Sequence, residues 1–387
     1  MQQTDWFKHS VIYHILIDRF SSRTSNLSNK PLFLGGNLRG ITEKIPYLKD
    51  LGIDVIWISP FYKTSAYHGY HITDFFKVDP HFGTEEDLVE LIDYVHKNNM
   101  HIIADFVPNH CSKFHPFFQE AQQDKYSKYR KWFYFQKWPD RCLCFLHFPE
   151  LPKINLDYPP AREYIINAAR YWLRFGLDGF RLDHVIGPSN KFWKIFSREI
   201  KKEFPNIILI GEAWMKGIKF SDLKTIKIRG KYFKKILGSS PDSLLRAYIG
   251  ILDGVLDFRG QQIIKKYICD RGGSLKALKE LERHYKKYPR DYMLPLFLDN
   301  HDMNRISYEC KNRRDRLMEA IHIQFLVDQP VIIYYGTERG MTQDRSIWSE
   351  KSHGDLLARQ PMQWNKNDEA LFSLYQELIK KRHSNIA

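Results

Sequence analysis

Three carboxylic acids and an arginine stand on or beside short apolar runs of this chain. Arg181 and Asp183 lie two residues apart in GFRLDHVIG (179–187), Glu212 closes IILIGE (207–212), and Asp302 follows His301 directly after LPLFLDN (294–300). In an extended strand side chains alternate between faces, so Arg181 and Asp183 share one face and Phe180 and Leu182 the other. Charges within apolar surroundings are costly unless paired or used. Two readings of the pair follow. One is a structural ion pair on a buried strand. The other is a carboxylate kept ionised by a guanidinium for nucleophilic attack. The stretch alone does not decide. Asp105, Asn109 and His110 form a further polar group after the run HIIADFV (101–107). Acids on several runs, with two histidines and an arginine, point to carboxylate chemistry. One acid attacks, a second donates a proton, and a third binds and orients.

These residues need a scaffold that brings strand ends together. Eight short β-rich runs recur along the chain: 11–17, 54–59, 101–107, 179–183, 207–212, 254–258, 294–300 and 331–336. Amphipathic helical patterns fall between them, among them 84–99, 161–176 and 313–328. Alternating strand and helix implies parallel strands with right-handed crossovers, and eight units imply a (β/α)8 barrel of the α/β class. A doubly wound open sheet is the alternative, but no glycine-rich phosphate loop follows the first run. In such barrels chemistry lies at the C-terminal strand ends, where these polar residues collect. Two connections exceed a simple loop. Residues 110–159, crowded with aromatics, are expected to form a small subdomain inserted after the third strand. The barrel then divides into 1–109 and 160–387. The lysine-rich stretch 216–250 leaves from the same strand ends and is expected to edge a substrate cleft, or else to be a surface excursion.

At 387 residues, 43% hydrophobic and 15% aromatic, the chain has material for a large core. Its net charge of +14 raises the question of nucleic acid. The lysines fall as pairs within helical patterns, such as 201–202, 286–287 and 380–381, which fits solvated helix faces, and no nucleic-acid-binding signature is present. No apolar run is long enough to span a bilayer, so no membrane partner is expected. The start, MQQTDWFKHS, lacks a signal-peptide pattern. Five scattered cysteines, an odd count, suggest reduced thiols and a cytoplasmic protein.

The constellation resembles the α-amylase family of glycoside hydrolases and transglycosylases (glycoside hydrolase family 13). DFVPNH (105–110), FRLDHV (180–185), GEAW (211–214) and FLDNHD (297–302) look like the family's four signatures, in order. VIYHILIDRF (11–20), GGNLRGI (35–41), YHGYHITDF (67–75), LPKINLD (151–157), YYGTERG (334–340) and ARQPMQW (358–364) support them. The resemblance runs from about residue 8 to 383, and LPKIN is similar to the neopullulanase and cyclomaltodextrinase side of the family. It implies Asp183 as nucleophile, with Arg181 keeping it charged. Glu212 would be general acid and then base, its pKa raised by its apolar strand. Asp302 would hold hydroxyls of the reacting sugar, His110 and His301 would bind that sugar, and Tyr70 would stack under it with His68 nearby. Asp355 and Arg359 match positions that contact the next sugar, and Asp105 supports Arg181.

The implied activity is retaining hydrolysis of α-1,4 bonds in malto-oligosaccharides or starch-like glucans. Transfer to a sugar hydroxyl uses the same residues, and a non-catalytic carbohydrate-binding barrel is the remote alternative. The resemblance implies no required cofactor. Many family members hold a calcium ion, and Asn109 and Asn155 match its ligands. Here Ile186-Gly187 replaces the lysine–histidine pair often found after the nucleophile strand, which argues against calcium at that site. The N-terminal domain typical of cyclomaltodextrinases and the family's C-terminal β-sandwich have no counterpart in these residues.

Overall fold

A computed structural model of the chain describes residues 4–21, 31–214, 241–270, 272–349, 354–366 and 368–384. Eight strands form one parallel sheet: β1 (Val11–Ile15), β2 (Val55–Ile58), β3 (His101–Phe106), β4 (Gly179–Leu182), β5 (Ile208–Gly211), β6 (Gly254–Val255), β7 (Leu296–Phe297) and β8 (Val331–Tyr334). Their order in the sheet is β6-β5-β4-β3-β2-β1-β8-β7, the cyclic order of a (β/α)8 fold. A backbone bond of 3.0 Å from Asp257 N to Pro295 O links the residues just beyond β6 to those just before β7. Each expected run contains one strand. The strands are shorter than the runs because the polar residues at their ends leave the ladder. Residues of β4, β5 and β8 are buried throughout, as parallel strands covered on both faces must be.

The helices begin where the sequence signals them. Glu85–Lys97 starts at a capping box, with Thr84 accepting from Asp87 N–H and Asp87 accepting from Thr84 N–H. Pro159–Leu173 carries prolines in its first turn, where the missing N–H costs nothing. It buries Ile165, Ala169 and Trp172, and the Trp172 indole donates to Phe75 O at 2.7 Å.

The chain divides into two compact units. The first comprises residues 1–59, 81–103 and 256–387 and holds β1, β2, β7 and β8. The second comprises 60–80 and 104–255 and holds β4, β5 and β6. In the second, residues 62–64 and 72–78 form an antiparallel hairpin whose turn carries His68 and Tyr70. Residues 110–159 carry the helix Pro116–Gln123, a 3-10 turn at Arg130–Trp132 and two short antiparallel ladders, 135–137 with 141–142 and 144–145 with 148–152. In the first unit Cys269 and Cys310 are joined in a disulfide, which corrects the expectation of five reduced thiols. Cys111, Cys142 and Cys144 take no part in a disulfide. An odd total hid an even pair 41 residues apart, because the fold and not the spacing brings the two together. No described helix is long and apolar enough to cross a membrane.

Candidate active site

Within the second unit, the C-terminal ends of β3, β4 and β5 bring three acids onto one guanidinium. Arg181 Nη1 donates to Asp183 Oδ1 at 2.9 Å and pairs with Asp105. Its Nη2 lies 2.5 Å from Glu212 Oε1. Tyr70 reaches in from the hairpin turn and donates its hydroxyl to Asp105 Oδ2 at 2.9 Å. His68 Nδ1 accepts from Tyr70 N–H at 3.2 Å, which fixes that turn. Arg181 is 1% exposed and Asp105 fully buried, whereas Asp183 and Glu212 each keep 6%. Burial works against the guanidinium charge, but Asp105, Glu212, Tyr70 and Asp183 hold its pKa well above the usual value. The alternation read from sequence is therefore present, with Arg181 and Asp183 on one face. Glu212 belongs to the same network, a contact between residues 31 positions apart that the strand pattern did not signal.

Backbone geometry fixes the two outer acids. Asp183 N–H donates to Phe106 O and Glu212 N–H to Leu182 O, both at 2.9 Å. Between these strands His184 adopts φ +45°, an uncommon conformation for a residue with a side chain. In that conformation its N–H donates to Glu212 Oε2 at 3.2 Å. Phe145, from the inserted segment, stands 4.7 Å from the rings of both His110 and His184. Sequence reasoning missed His184 and Phe145. The signal for the first was its place directly after Asp183. The second was one of many aromatics between 110 and 159. His110 is 1% exposed, burial pushes its pKa down to about 3, and its Nε2 has no hydrogen-bond partner among the described residues.

The first unit carries a second constellation. Asp302 Oδ2 lies 3.1 Å from His301 Nε2, and Asp302 Oδ1 accepts from Arg359 Nη2 at 2.7 Å. Arg359 also reaches Asp355 Oδ2 at 2.8 Å and donates from Nε to His301 O at 2.8 Å. The four residues expected from sequence, His301, Asp302, Asp355 and Arg359, thus form one network. His301 sits edge-on to His14, whose ring stacks on Trp57 at 3.7 Å. Asp302 is 29% exposed and so faces solvent more than the acids of the other unit. Of the stretch 216–250, residues 216–240 lie outside the described residues.

The two expected calcium ligands lie in the second unit. Asn109 Oδ1 and Asn155 Oδ1 are buried without a hydrogen-bond partner. Between their segments, however, Lys153 Nζ donates to Gly187 O at 2.6 Å. The Gly187 carbonyl therefore already has a cationic partner from the protein itself. Neither asparagine brings a charge. A Cβ on residue 187 would fall 2.1 Å from Asn109 Oδ1, so no side chain fits there as the two are placed. Among the described residues no group of three or more His, Cys, Asp or Glu is placed to hold a metal. The residues present do not fit a calcium ion.

The sequence of residues 14–142 and 253–385 matches the family model described as alpha amylase, catalytic domain. The chain is 38% identical over 392 residues to alpha-amylase 2 of Dictyoglomus thermophilum, covering 99% of this chain and 64% of that protein. It is 28% identical over 415 residues to a cyclomaltodextrinase of a Bacillus species, covering all of this chain and 68% of the relative. The chain thus spans about two thirds of the length of these curated relatives. Among solved structures it is similar to the alpha-amylase of Geobacillus thermoleovorans complexed with acarbose. The TM-score is 0.80 at 28% identity, over 98% of this chain and 79% of the other.

Proposed function

The chain belongs to the alpha-amylase family, and from that premise we propose that it is a retaining glycoside hydrolase acting on α-1,4 bonds of malto-oligosaccharides or starch-like glucans. The observation that carries the proposal is the single guanidinium of Arg181 in contact with Asp105, Asp183 and Glu212. A structural ion pair needs one partner. Here two further acids, each slightly exposed, share the same cation at adjacent strand ends.

In this reading the Asp183 carboxylate attacks the anomeric carbon while Glu212 protonates the departing glycosidic oxygen. The glycosidic bond breaks, a glycosyl ester to Asp183 forms, and Glu212 is left ionised. Glu212 then takes a proton from water, whose oxygen attacks the same carbon and releases Asp183. Two inversions retain configuration. Arg181 holds Asp183 charged and oriented, and His184 N–H holds one oxygen of Glu212 so that the other is aimed. Asp302 binds hydroxyls of the reacting sugar, and His110 and His301 assist it. The partnerless Nε2 of His110 is the kind of group a sugar hydroxyl satisfies. Tyr70 stacks under the ring with His68 behind it, and Asp355 and Arg359 contact the next sugar. The alpha-amylase and cyclomaltodextrinase names of its relatives support the substrate class.

The test is product analysis on maltoheptaose and on a cyclodextrin, beside an Asp183→Asn control. Shorter products from maltoheptaose alone, absent in the control, are expected of an α-glucan hydrolase. Opened cyclodextrin as well places the activity with cyclomaltodextrinases. Products longer than the input make transfer the main reaction, and no product from either substrate overturns the reading.

A further inference from the structure

The inserted segment sends a hairpin to the catalytic end of the second unit. Cys144–Phe145 pairs antiparallel with Phe148–Pro152, and the chain reverses between them at Leu146, which adopts φ +48°. Phe145 and Phe148 are partners in that ladder. Side chains of an opposed pair stand on the same face of a hairpin. The Phe145 ring lies 4.7 Å from the rings of both His110 and His184, so this face is turned toward the end of β3 and the loop after β4. Phe148 continues the face outward. Its ring lies 6.2 Å from that of Phe145 and within 16° of parallel, and the ring of His147 stands 4.3 Å from it. Phe145 is half-buried, whereas Phe148 is 37% exposed.

A single phenylalanine at a surface is ordinary. Two nearly parallel rings that begin on the histidines beside the catalytic acids and end in solvent make a continuous apolar track. The face of a pyranose ring carries C–H groups, and a flat aromatic ring is the surface on which they shed water. His184 gives the track its direction. Its N–H holds Glu212 Oε2 while its ring meets Phe145. Glu212 is the acid that protonates the departing oxygen, so the track starts on the leaving group's side of the reacting carbon.

We propose that Phe145 and Phe148 form a stacking platform for the glucose units on the leaving-group side of the scissile bond, which makes the tip of this hairpin a determinant of substrate length. The proposal rests on the reading of the chain as an α-glucan hydrolase. An acceptor sugar enters where the leaving sugar departs, so the same platform receives the acceptor when a sugar hydroxyl takes the place of water.

The test compares two substrates. In maltoheptaose the departing group is a sugar chain, and in α-maltosyl fluoride it is fluoride, which has no ring to stack. Phe148→Ala is expected to lower kcat/KM on maltoheptaose about fivefold or more, the scale of losing one partly exposed aromatic surface from an apolar contact. Its kcat/KM on the fluoride is expected to stay within about twofold, with the melting temperature unchanged. Phe148→Tyr keeps the ring and is expected to stay within about twofold on both substrates. Phe114→Ala, 53% exposed on the same inserted segment, is the control and is expected to change neither. An equal fall on both substrates, no fall on either, or a Phe148→Tyr protein no better than Phe148→Ala overturns the platform. Binding separates this failure from failure of the hydrolase reading. Calorimetric titration of maltoheptaose into Asp183→Asn is expected to show an affinity that Phe148→Ala weakens by a similar factor, and an affinity left undiminished overturns the platform even where the unaltered chain cleaves maltoheptaose. An unaltered chain that turns over neither substrate overturns the hydrolase reading, and the proposal with it.

Discussion

Asp183 and Glu212 stand on one guanidinium but meet different neighbours, and the difference separates their roles. Asp183 has a direct 2.9 Å bond from Arg181 and follows immediately after the same strand. Glu212 has Arg181 on one oxygen and the His184 N–H on the other. Asp183→Asn removes the nucleophile, and its kcat on maltoheptaose is expected to fall at least about 10³-fold with the melting temperature little changed. A fall of less than tenfold excludes the nucleophile role. Tyr70→Phe is subtler. It removes the hydroxyl that binds Asp105 while keeping the ring that stacks on sugar. Since Asp105 acts through Arg181, kcat is expected to fall several-fold with KM within about twofold, a split that loss of the stacking ring itself would reverse.

What the sequence disclosed at this scale, and what it hid, follow from one cause. Arg181 and Asp183 were legible because strand alternation fixes the relation of residues two apart. The approach of Glu212 to Arg181 depends on the register of β4 against β5, in which Arg181 is level with Ile210. No local pattern encodes that register. His184 at positive φ and the reach of Lys153 to Gly187, across 34 residues, are equally products of packing. LPKIN drew notice as a family likeness, and only the fold shows what its lysine touches.

Elements are held by features that single changes can probe. Gly179 opens β4, and a Cβ there would lie 2.2 Å from the Ile208 carbonyl oxygen across the ladder to β5. Backbone cannot step aside as a side chain can. Gly179→Ala is expected to cost about 2–4 kcal/mol by chemical denaturation, since overpacking against a fixed ladder is among the expensive substitutions. A loss under about 0.5 kcal/mol contradicts so close an approach.

In the inserted segment, His115 caps the helix Pro116–Gln123 by accepting the Phe117 N–H at its Nδ1. Burial pushes its pKa down to about 4, from an ordinary 6.5. The folded protein therefore resists a proton that the unfolded chain accepts below pH 6.5. Stability from this residue is complete above about pH 6.5 and declines as pH falls toward 4. Its full extent is on the order of 3 kcal/mol, at 1.4 kcal/mol for each unit of pKa. His115→Asn keeps a capping acceptor without titrating. Its melting temperature is expected to fall less between pH 7 and 4.5 than that of the unaltered chain, and parallel curves for the two contradict the assignment.

The paired lysines also belong to this scale. Lys201, Lys265, Lys286 and Lys381 meet Asp253, Glu309, Glu282 and Glu377 at 2.8, 2.7, 2.6 and 2.5 Å. The last two are one-turn pairs on exposed helix faces, as the sequence reading of the net +14 expects, whereas Lys201 and Lys265 reach acids on other segments and are mostly covered.

Across the whole molecule, the order of the eight strands was legible because each buried run, bounded by an amphipathic helix, leaves few topologies open. Long-range covalent closure was not. The Cys269–Cys310 disulfide closes a loop of 41 residues, and a closed loop of that size stabilises by about 3–4 kcal/mol through the unfolded chain. Dithiothreitol is expected to lower the melting temperature of the unaltered protein by several degrees and to leave Cys269→Ser/Cys310→Ser unmoved. Equal sensitivity of the two proteins to reductant would show that this pair is not the bond being reduced.

The most direct test of the central claim is to trap the glycosyl ester on Asp183. The protein is incubated with a 5-fluoro-α-glucosyl fluoride, which forms the ester but slows its hydrolysis, then digested with pepsin and read by mass spectrometry. The predicted result is one glycosyl adduct, on the carboxylate of Asp183 in the peptide spanning GFRLDHV. An adduct on a different residue, or none from a preparation that hydrolyses α-glucans, contradicts a double displacement through Asp183.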